Sequence, residues 1–367
     1  MRILILSNSD SGLFQFRGEL IKELSIDSNV ICCVPNEDGY IGKLEQLGCK
    51  CIETPFNRRS INPIQDLILL NSYRKLIKSI QPSIVLTYTI KPNVYGGIAC
   101  QQLKVPYIAN ITGLGTSIEN GGIISRIAML LYRIGLRRAS CVFFQNCYNQ
   151  NTFIKKNIIS GKSRLIPGSG VNVDFHKFEP YPEDTNMFRF LFVGRVMKDK
   201  GIEELLSAID MLNSKGEKIF LDVVGGYDQD YSKNLTEYEK KGILKYHGKQ
   251  NDVHKFYKNA HCVVLPSYHE GMANVMLEAA ATGRPVITTN IPGCQETFID
   301  GITGLGCDPK DVKSLYISMK KMLDLTWNQR NQMGIAGRNL VSQKFDRKII
   351  VNAYKEEILT TVNERRK

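Results

Sequence analysis

Residues 262–289 read CVVLPSYHEGMANVMLEAAATGRPVITT, and this stretch decides the fold. Cys262–Leu265 is a short, wholly apolar run of the kind that forms a strand buried on both faces. A loop containing Gly271 follows, then helical spacing over Asn274–Thr282, then a second strand-like run over Pro285–Thr289. Strand, helix and strand in that order predict a βαβ unit and a parallel sheet. A helix opening near Asn274 turns the backbone N–H groups of Gly271, Met272, Ala273, Asn274 and Val275 outward with a partial positive field, which suits a diphosphate. Glu270 stands in the loop and Glu278 about one turn inside the helix, so the two carboxylates address different parts of one extended ligand.

The same alternation continues in both directions. Toward the C-terminus the spacing predicts helices from Ser314 to Arg366. Upstream, it predicts strands at Phe188–Val193 and Ile219–Val224, with helices at Ile202–Leu212 and Val253–Asn259. Earlier still, strands are expected at Ile3–Ser7, Val30–Val34, Ile84–Tyr88, Tyr107–Asn110 and Cys141–Phe144. Helices at Leu13–Leu24, Pro63–Ser79 and Ser125–Arg138 fall between them. Pro167-Gly168-Ser169-Gly170 and the Pro- and acid-rich Phe178–Asn186 interrupt the pattern, as a linker does. The chain therefore reads as α/β, with two doubly wound, Rossmann-like domains facing a central cleft, over residues 1–167 and 168–348, and a last helix, 349–367, crossing back to complete the first. A length of 367 residues agrees with two domains.

Composition narrows the partners. Lys and Arg number 48 against 36 Asp and Glu, a net charge of +12 that implies an anionic partner. The basic residues are spread along the chain without a nucleic-acid-binding signature, so nucleic acid is not expected. No apolar run approaches the eighteen or so residues of a membrane span. The N-terminus turns polar by Ser7, too soon for a secretory signal, which predicts a cytoplasmic protein. Ten cysteines without a Cys-x-x-Cys pair read as small buried hydrophobes.

A second chemical element is Phe192-Val193-Gly194-Arg195-Val196-Met197-Lys198-Asp199-Lys200-Gly201. Gly194 ends a strand, and Arg195 with Lys200 places a bidentate guanidinium and a point-charge ammonium near a leaving diphosphate. A third is the hinge-like Ile166-Pro167-Gly168-Ser169-Gly170-Val171-Asn172.

With Glu270-x₇-Glu278 preceded by Gly194-Arg195 and Lys200-Gly201, the chain resembles the retaining family-4 glycosyltransferases of the GT-B fold. The resemblance extends over nearly the whole chain and is strongest to bacterial enzymes of O-antigen, capsule and glycan assembly. It implies Glu270, Arg195 and Lys200 as catalytic residues. It also implies Gly12, Gly194, Gly271, Met272, Ala273, Asn274, Val275 and Glu278 as donor contacts, with Glu278 on the ribose. The donor implied is a UDP-N-acetylhexosamine or other UDP-hexose, and the acceptor an undecaprenyl-diphosphate-linked saccharide; no metal or other cofactor is required. The chain departs from the family in places. Ser11-Gly12 stands where many members have two glycines, Gln295 where an arginine is common, and Ile90 where many have a histidine. None of the five histidines precedes residue 176, so Lys91 is the candidate for the missing histidine's contacts. Asp228-Gln229-Asp230 follows a Gly-Gly pair near the expected nucleotide and reads as a loop.

Arg126, Arg133, Arg137 and Arg138 interleave with large apolar residues, and Arg58, Arg59 and the Arg74–Lys78 helix add charge to the same domain. Arg58 and Arg59 are candidate acceptor contacts, and the surface suits peripheral docking on the inner face of the plasma membrane. A two-domain NAD-dependent oxidoreductase would share the doubly wound halves, but the chain lacks the Gly-x-Gly-x-x-Gly fingerprint. A non-catalytic two-lobed sugar-binding protein would have no use for Arg195 and Lys200 around a diphosphate.

Overall fold

The computed structural model describes residues 1–54, 62–113, 122–183 and 187–365. The chain forms two compact units, Met1–Ser169 with Arg347–Lys367, and Gly170–Asp346. The first comprises β1 (Arg2–Leu6), α1 (Asp10–Asp27), β2 (Asn29–Val34), α2 (Ile41–Glu45), β3 (Lys50–Glu53), α3 (Pro63–Ile80) and β4 (Ile84–Tyr88). A π-helical turn, Pro92–Gly96, leads into α4 (Gly97–Leu103), β5 (Tyr107–Ile111), α5 (Gly122–Leu136), β6 (Cys141–Phe144), α6 (Cys147–Lys155) and β7 (Ser163–Leu165). Among the described residues seven parallel strands lie in the order β3-β2-β1-β4-β5-β6-β7.

The second unit repeats the plan. It runs β8 (Phe188–Val193), α7 (Ile202–Ser214), β9 (Ile219–Val224), α8 (Ser232–Lys240), β10 (Leu244–Tyr246), α9 (His254–Asn259) and β11 (Cys262–Leu265). It continues with α10 (Asn274–Ala281), β12 (Val286–Thr289), β13 (Gly304–Cys307), α11 (Val312–Asp324) and α12 (Trp327–Lys344). Among its described residues six strands, again parallel, lie in the order β10-β9-β8-β11-β12-β13.

Strands covered on both faces must be apolar throughout, and β1 shows it. Ile3 and Ile5 enter one core cluster, Leu4 and Leu6 another on the opposite face. The pattern located the inner strands; the four it missed, β3, β7, β10 and β13, are all sheet edges. Edge strands are short and half-solvated, so Lys50–Glu53 and Ser163–Leu165 carry no apolar run to read.

The C-terminal helix α13 (Arg347–Glu364) packs on the first sheet. Tyr354 sits edge-on to Phe143 with centroids 4.7 Å apart. Glu357, 2% exposed, takes Lys162 at 2.8 Å and Arg164 at 3.2 Å. Eight of the ten cysteines are buried, and burial pushes the Cys33 thiol up to about 11, as for a small core side chain. Among the described residues no helix is long and apolar enough to cross a membrane.

Candidate active site

In a sheet of this order the chain winds outward in opposite directions from the central pair, leaving a crevice at the strands' carboxyl ends. In the second unit that pair is β8 and β11, joined at Leu191↔Val263. Gly194 and Arg195 leave β8, and the loop bearing Glu270 leaves β11, so the topology delivers the predicted residues to one edge.

Backbone packing then fixes them. Lys198–Lys200 forms a 3₁₀ turn closed by Gly201 at φ 71°. A side chain there would put its Cβ 2.0 Å from the Pro266 carbonyl oxygen. Only glycine lets the turn lie on the end of β11. Tyr268 N–H donates to the Asp199 carbonyl at 2.9 Å, and the Ser267 hydroxyl to the same oxygen at 3.2 Å. From the other side Gly293, at φ 89°, approaches so closely that a Cβ would lie 2.4 Å from the Glu270 carbonyl oxygen. The Glu270 loop is thus held between two backbones, and the Lys200 ammonium meets the Glu270 carboxylate in an ion pair. Both side chains are mostly covered, at 17% and 13% exposed.

Arg195 is placed differently. Its guanidinium is 57% exposed and donates to Asp228 at 2.8 Å. Asp228 and Asp230 serve separate ends: the first takes Arg195, while the second caps Ser232 through its N–H at 3.1 Å. Glu278 accepts from the Tyr257 hydroxyl at 2.8 Å. Tyr257 is fully buried, and burial followed by the neighbouring Glu278 charge holds its hydroxyl well above the usual phenol range, so it remains a donor. Tyr257 is in turn anchored by Arg284, which is fully buried and donates from Nε to the Tyr257 carbonyl at 2.9 Å.

Two expectations need correction. The amides before α10 do not all face outward: Ala273 N–H donates to Gly293 O at 2.7 Å, and Asn274 N–H to Met272 O at 2.9 Å. The Met272 side chain is buried in an apolar cluster with Val171, Val173 and Leu277. Gly12 is likewise occupied, because its N–H donates 3.0 Å to Ser9 Oγ, the cap of α1. The Ala273 amide is taken by another loop, which string reading does not reveal, and the Gly12 amide by the cap of its own helix.

Lys91, at the carboxyl end of β4, pairs with Asp66 at 3.0 Å, and Tyr95 donates to the same carboxylate at 2.8 Å. Lys91 therefore arrives already neutralised by α3. Arg58 and Arg59 lie outside the described residues. Sequence reading missed Asp228 as the Arg195 partner, Tyr257 and Asp66. An Asp in an Asp-x-Asp string and a Tyr at a core position carried no signal for those roles.

Residues 2–146 match the family described as Glycosyl transferase 4-like, and residues 174–340 the family Glycosyl transferases group 1. The chain belongs to the family-4 glycosyltransferases of the GT-B fold. The second match contains Arg195, Lys200, Glu270 and Glu278, and the first contains Gly12 and Lys91. This glycosyltransferase is 27% identical to an N,N'-diacetylbacillosaminyl-diphospho-undecaprenol α-1,3-N-acetylgalactosaminyltransferase of Campylobacter jejuni, over 96% of this chain and 97% of that one. It is also 27% identical to a UDP-Gal:α-D-GlcNAc-diphosphoundecaprenol α-1,3-galactosyltransferase of Escherichia coli, over 89% and 88% of the two chains. The structure of sucrose-phosphate synthase from Thermosynechococcus elongatus superposes with a TM-score of 0.81 at 20% identity, covering 97% of this chain and 98% of that one, which shows the shared fold.

Proposed function

We propose that this glycosyltransferase moves a sugar from a UDP-sugar, a UDP-N-acetylhexosamine or other UDP-hexose, to a saccharide carried on undecaprenyl diphosphate. The reaction retains anomeric configuration, takes place at the inner membrane surface and extends a bacterial surface polysaccharide. The observation that carries this reading is the Lys200–Glu270 ion pair at the β8–β11 switch point, with Arg195 on the same strand end. Two relatives matched over most of their length bear names that specify diphospho-undecaprenol acceptors, and one of those names specifies a UDP-sugar.

The chemistry follows from charge. As the glycosidic bond lengthens, the leaving UDP gathers negative charge on its diphosphate, and fixed cations stabilise that state more than the ground state. Lys200 and Arg195 supply the cations. Lys200 sits on the Glu270 carboxylate and Arg195 on that of Asp228, and a doubly charged diphosphate supplants a single carboxylate at either one. Glu270, so released, orients the hydroxyls of the transferred sugar. Glu278, held by Tyr257, binds the ribose. The acceptor hydroxyl attacks from the face that the diphosphate leaves, and a donor phosphate oxygen takes its proton.

A screen of nucleotide sugars with a lipid-diphosphate-linked acceptor tests the reading, with Glu270→Ala and Lys200→Ala beside wild type. The expected result is transfer from a UDP-sugar, reduced roughly 100-fold or more in both variants. Undiminished transfer in both removes the proposed site.

A further inference from the structure

Tyr268 stands two residues before Glu270 and is 7% exposed, so its ring is packed inside the second unit rather than offered to a ligand. Its hydroxyl donates to the Glu204 carboxylate at 2.5 Å, and Glu204 lies in the first turn of α7. That helix follows directly on Gly201, so Lys200 and Glu204 ride on one short, regular stretch of backbone. The Lys310 ammonium, from the loop after β13, lies 5.0 Å from the centre of the Tyr268 ring. Burial, then the Glu204 bond, pushes the Tyr268 hydroxyl above the usual phenol range, so it stays a donor. Glu204 bears a cost in this arrangement. One oxygen takes Tyr268, while Oε2 is covered and has no hydrogen-bond partner among the described residues. A carboxylate oxygen removed from water without a donor destabilises the fold. Packing does not call for it, since a phenylalanine fills nearly the same volume. Nor does the helix dipole, which the adjacent Glu203 serves from the surface, accepting from Tyr231 at 2.7 Å and facing Lys198 at 3.6 Å. A buried polar group kept at such a cost marks a place where position is being held.

We propose that Tyr268 and Glu204 are positioning residues, a tether that fixes the Glu270 loop against the Lys200 turn while neither touches substrate. Lys200 and Glu204 are held to each other through backbone, and so are Tyr268 and Glu270. The Tyr268–Glu204 bond is therefore a second link between the same two stretches that the Lys200–Glu270 ion pair joins. It matters when that pair opens. In the proposed reaction a diphosphate takes Lys200 and releases Glu270 to orient the sugar, so the ion pair no longer holds the loop. The tether does, and it keeps Glu270 within the small tolerance that orientation of a reacting group allows. Its consequence for catalysis rests on the reaction proposed above; the tether itself is read from these contacts.

The test has two parts, both on the full chain. Amide hydrogen exchange needs neither donor nor acceptor. Lys200→Ala opens the ion pair, and adding Tyr268→Phe to it is expected to speed exchange over His269–Met272 about tenfold relative to Lys200→Ala alone. Steady-state transfer supplies the second part. Tyr268→Phe and Glu204→Ala are each expected to lower kcat about tenfold with the donor KM within about twofold, and the double variant to fall no further than either. Glu204→Gln, whose amide oxygen still accepts from the phenol, is expected to keep kcat within about twofold of wild type. A merely structural role would instead lower the melting temperature and the fraction of chains that bind UDP, and spare kcat per UDP-binding chain. Unchanged exchange in the Lys200→Ala background, wild-type kcat in Tyr268→Phe, or losses that multiply in the double variant overturns the proposal. Undiminished transfer in Glu270→Ala removes the reaction reading instead, and the exchange result then decides the tether.

Discussion

Glu278 takes its orientation from a residue that touches no ligand in the proposed scheme. Tyr257 presents its hydroxyl at 2.8 Å, and the backbone of Tyr257 is gripped by Arg284. Tyr257→Phe removes one hydrogen bond to a carboxylate, worth about 1.5–3 kcal/mol, so the donor KM is expected to rise about tenfold or more with kcat nearly unchanged. Steady-state kinetics with the UDP-sugar separates this from a structural defect, which lowers kcat as active enzyme is lost. Arg284 also donates to Pro180 O at 2.7 Å, and its burial holds its pKa down at about 10. Arg284→Ala strands these carbonyls and opens a cavity, and about 3–5 kcal/mol of stability is expected to be lost, read from the urea midpoint. Spacing puts Glu270 and Lys200 in loops after strands and Glu278 in a helix, while the roles expected of them come from the family resemblance. Tyr257 was not legible, because a buried tyrosine in a helix reads as core until its hydroxyl is seen to have a carboxylate in reach.

At the scale of elements, the inner strands declared themselves through unbroken apolar runs, and the edge strands did not. The loops show the same limit in another form. Gly271–Val275 reads as a row of outward donors, yet the Gly293 carbonyl takes the amide of Ala273 from a loop some twenty residues further along. That docking gives a prediction. Gly293→Ala meets both a left-handed φ and the Glu270 carbonyl, so it displaces the Glu270 loop. Transfer activity is expected to fall at least tenfold while the thermal midpoint drops only a few degrees, measured side by side by assay and calorimetry. The segment before β8 supplies a pH-dependent contact. A hydrogen bond from His254, then Lys258, holds the Glu179 carboxyl below its usual range. A lowered carboxylate stabilises the fold above its unfolded pKa of about 4.3 and loses that contribution as pH falls through the lowered value. Glu179→Gln is therefore expected to flatten the acid limb of a plot of melting temperature against pH, by a small amount because the pair is near the surface.

For the whole molecule, the tandem of two strand–helix alternations was visible from periodicity, and the crossing back of the last helix was expected from its helical pattern and length, whereas the strand order was not. The specific contacts of α13 were not legible, since Tyr354 on Phe143 and Glu357 between Lys162 and Arg164 join residues about two hundred positions apart. In the proposed reaction Arg195 and Lys200 hold a diphosphate at the carboxyl edge of the second sheet. Isothermal titration of UDP into wild type and into Arg195→Ala/Lys200→Ala tests it without acceptor, lipid or knowledge of the sugar. Binding by wild type, weakened about 100-fold in the double variant, is the predicted result; equal affinity for UDP in the two proteins would contradict it.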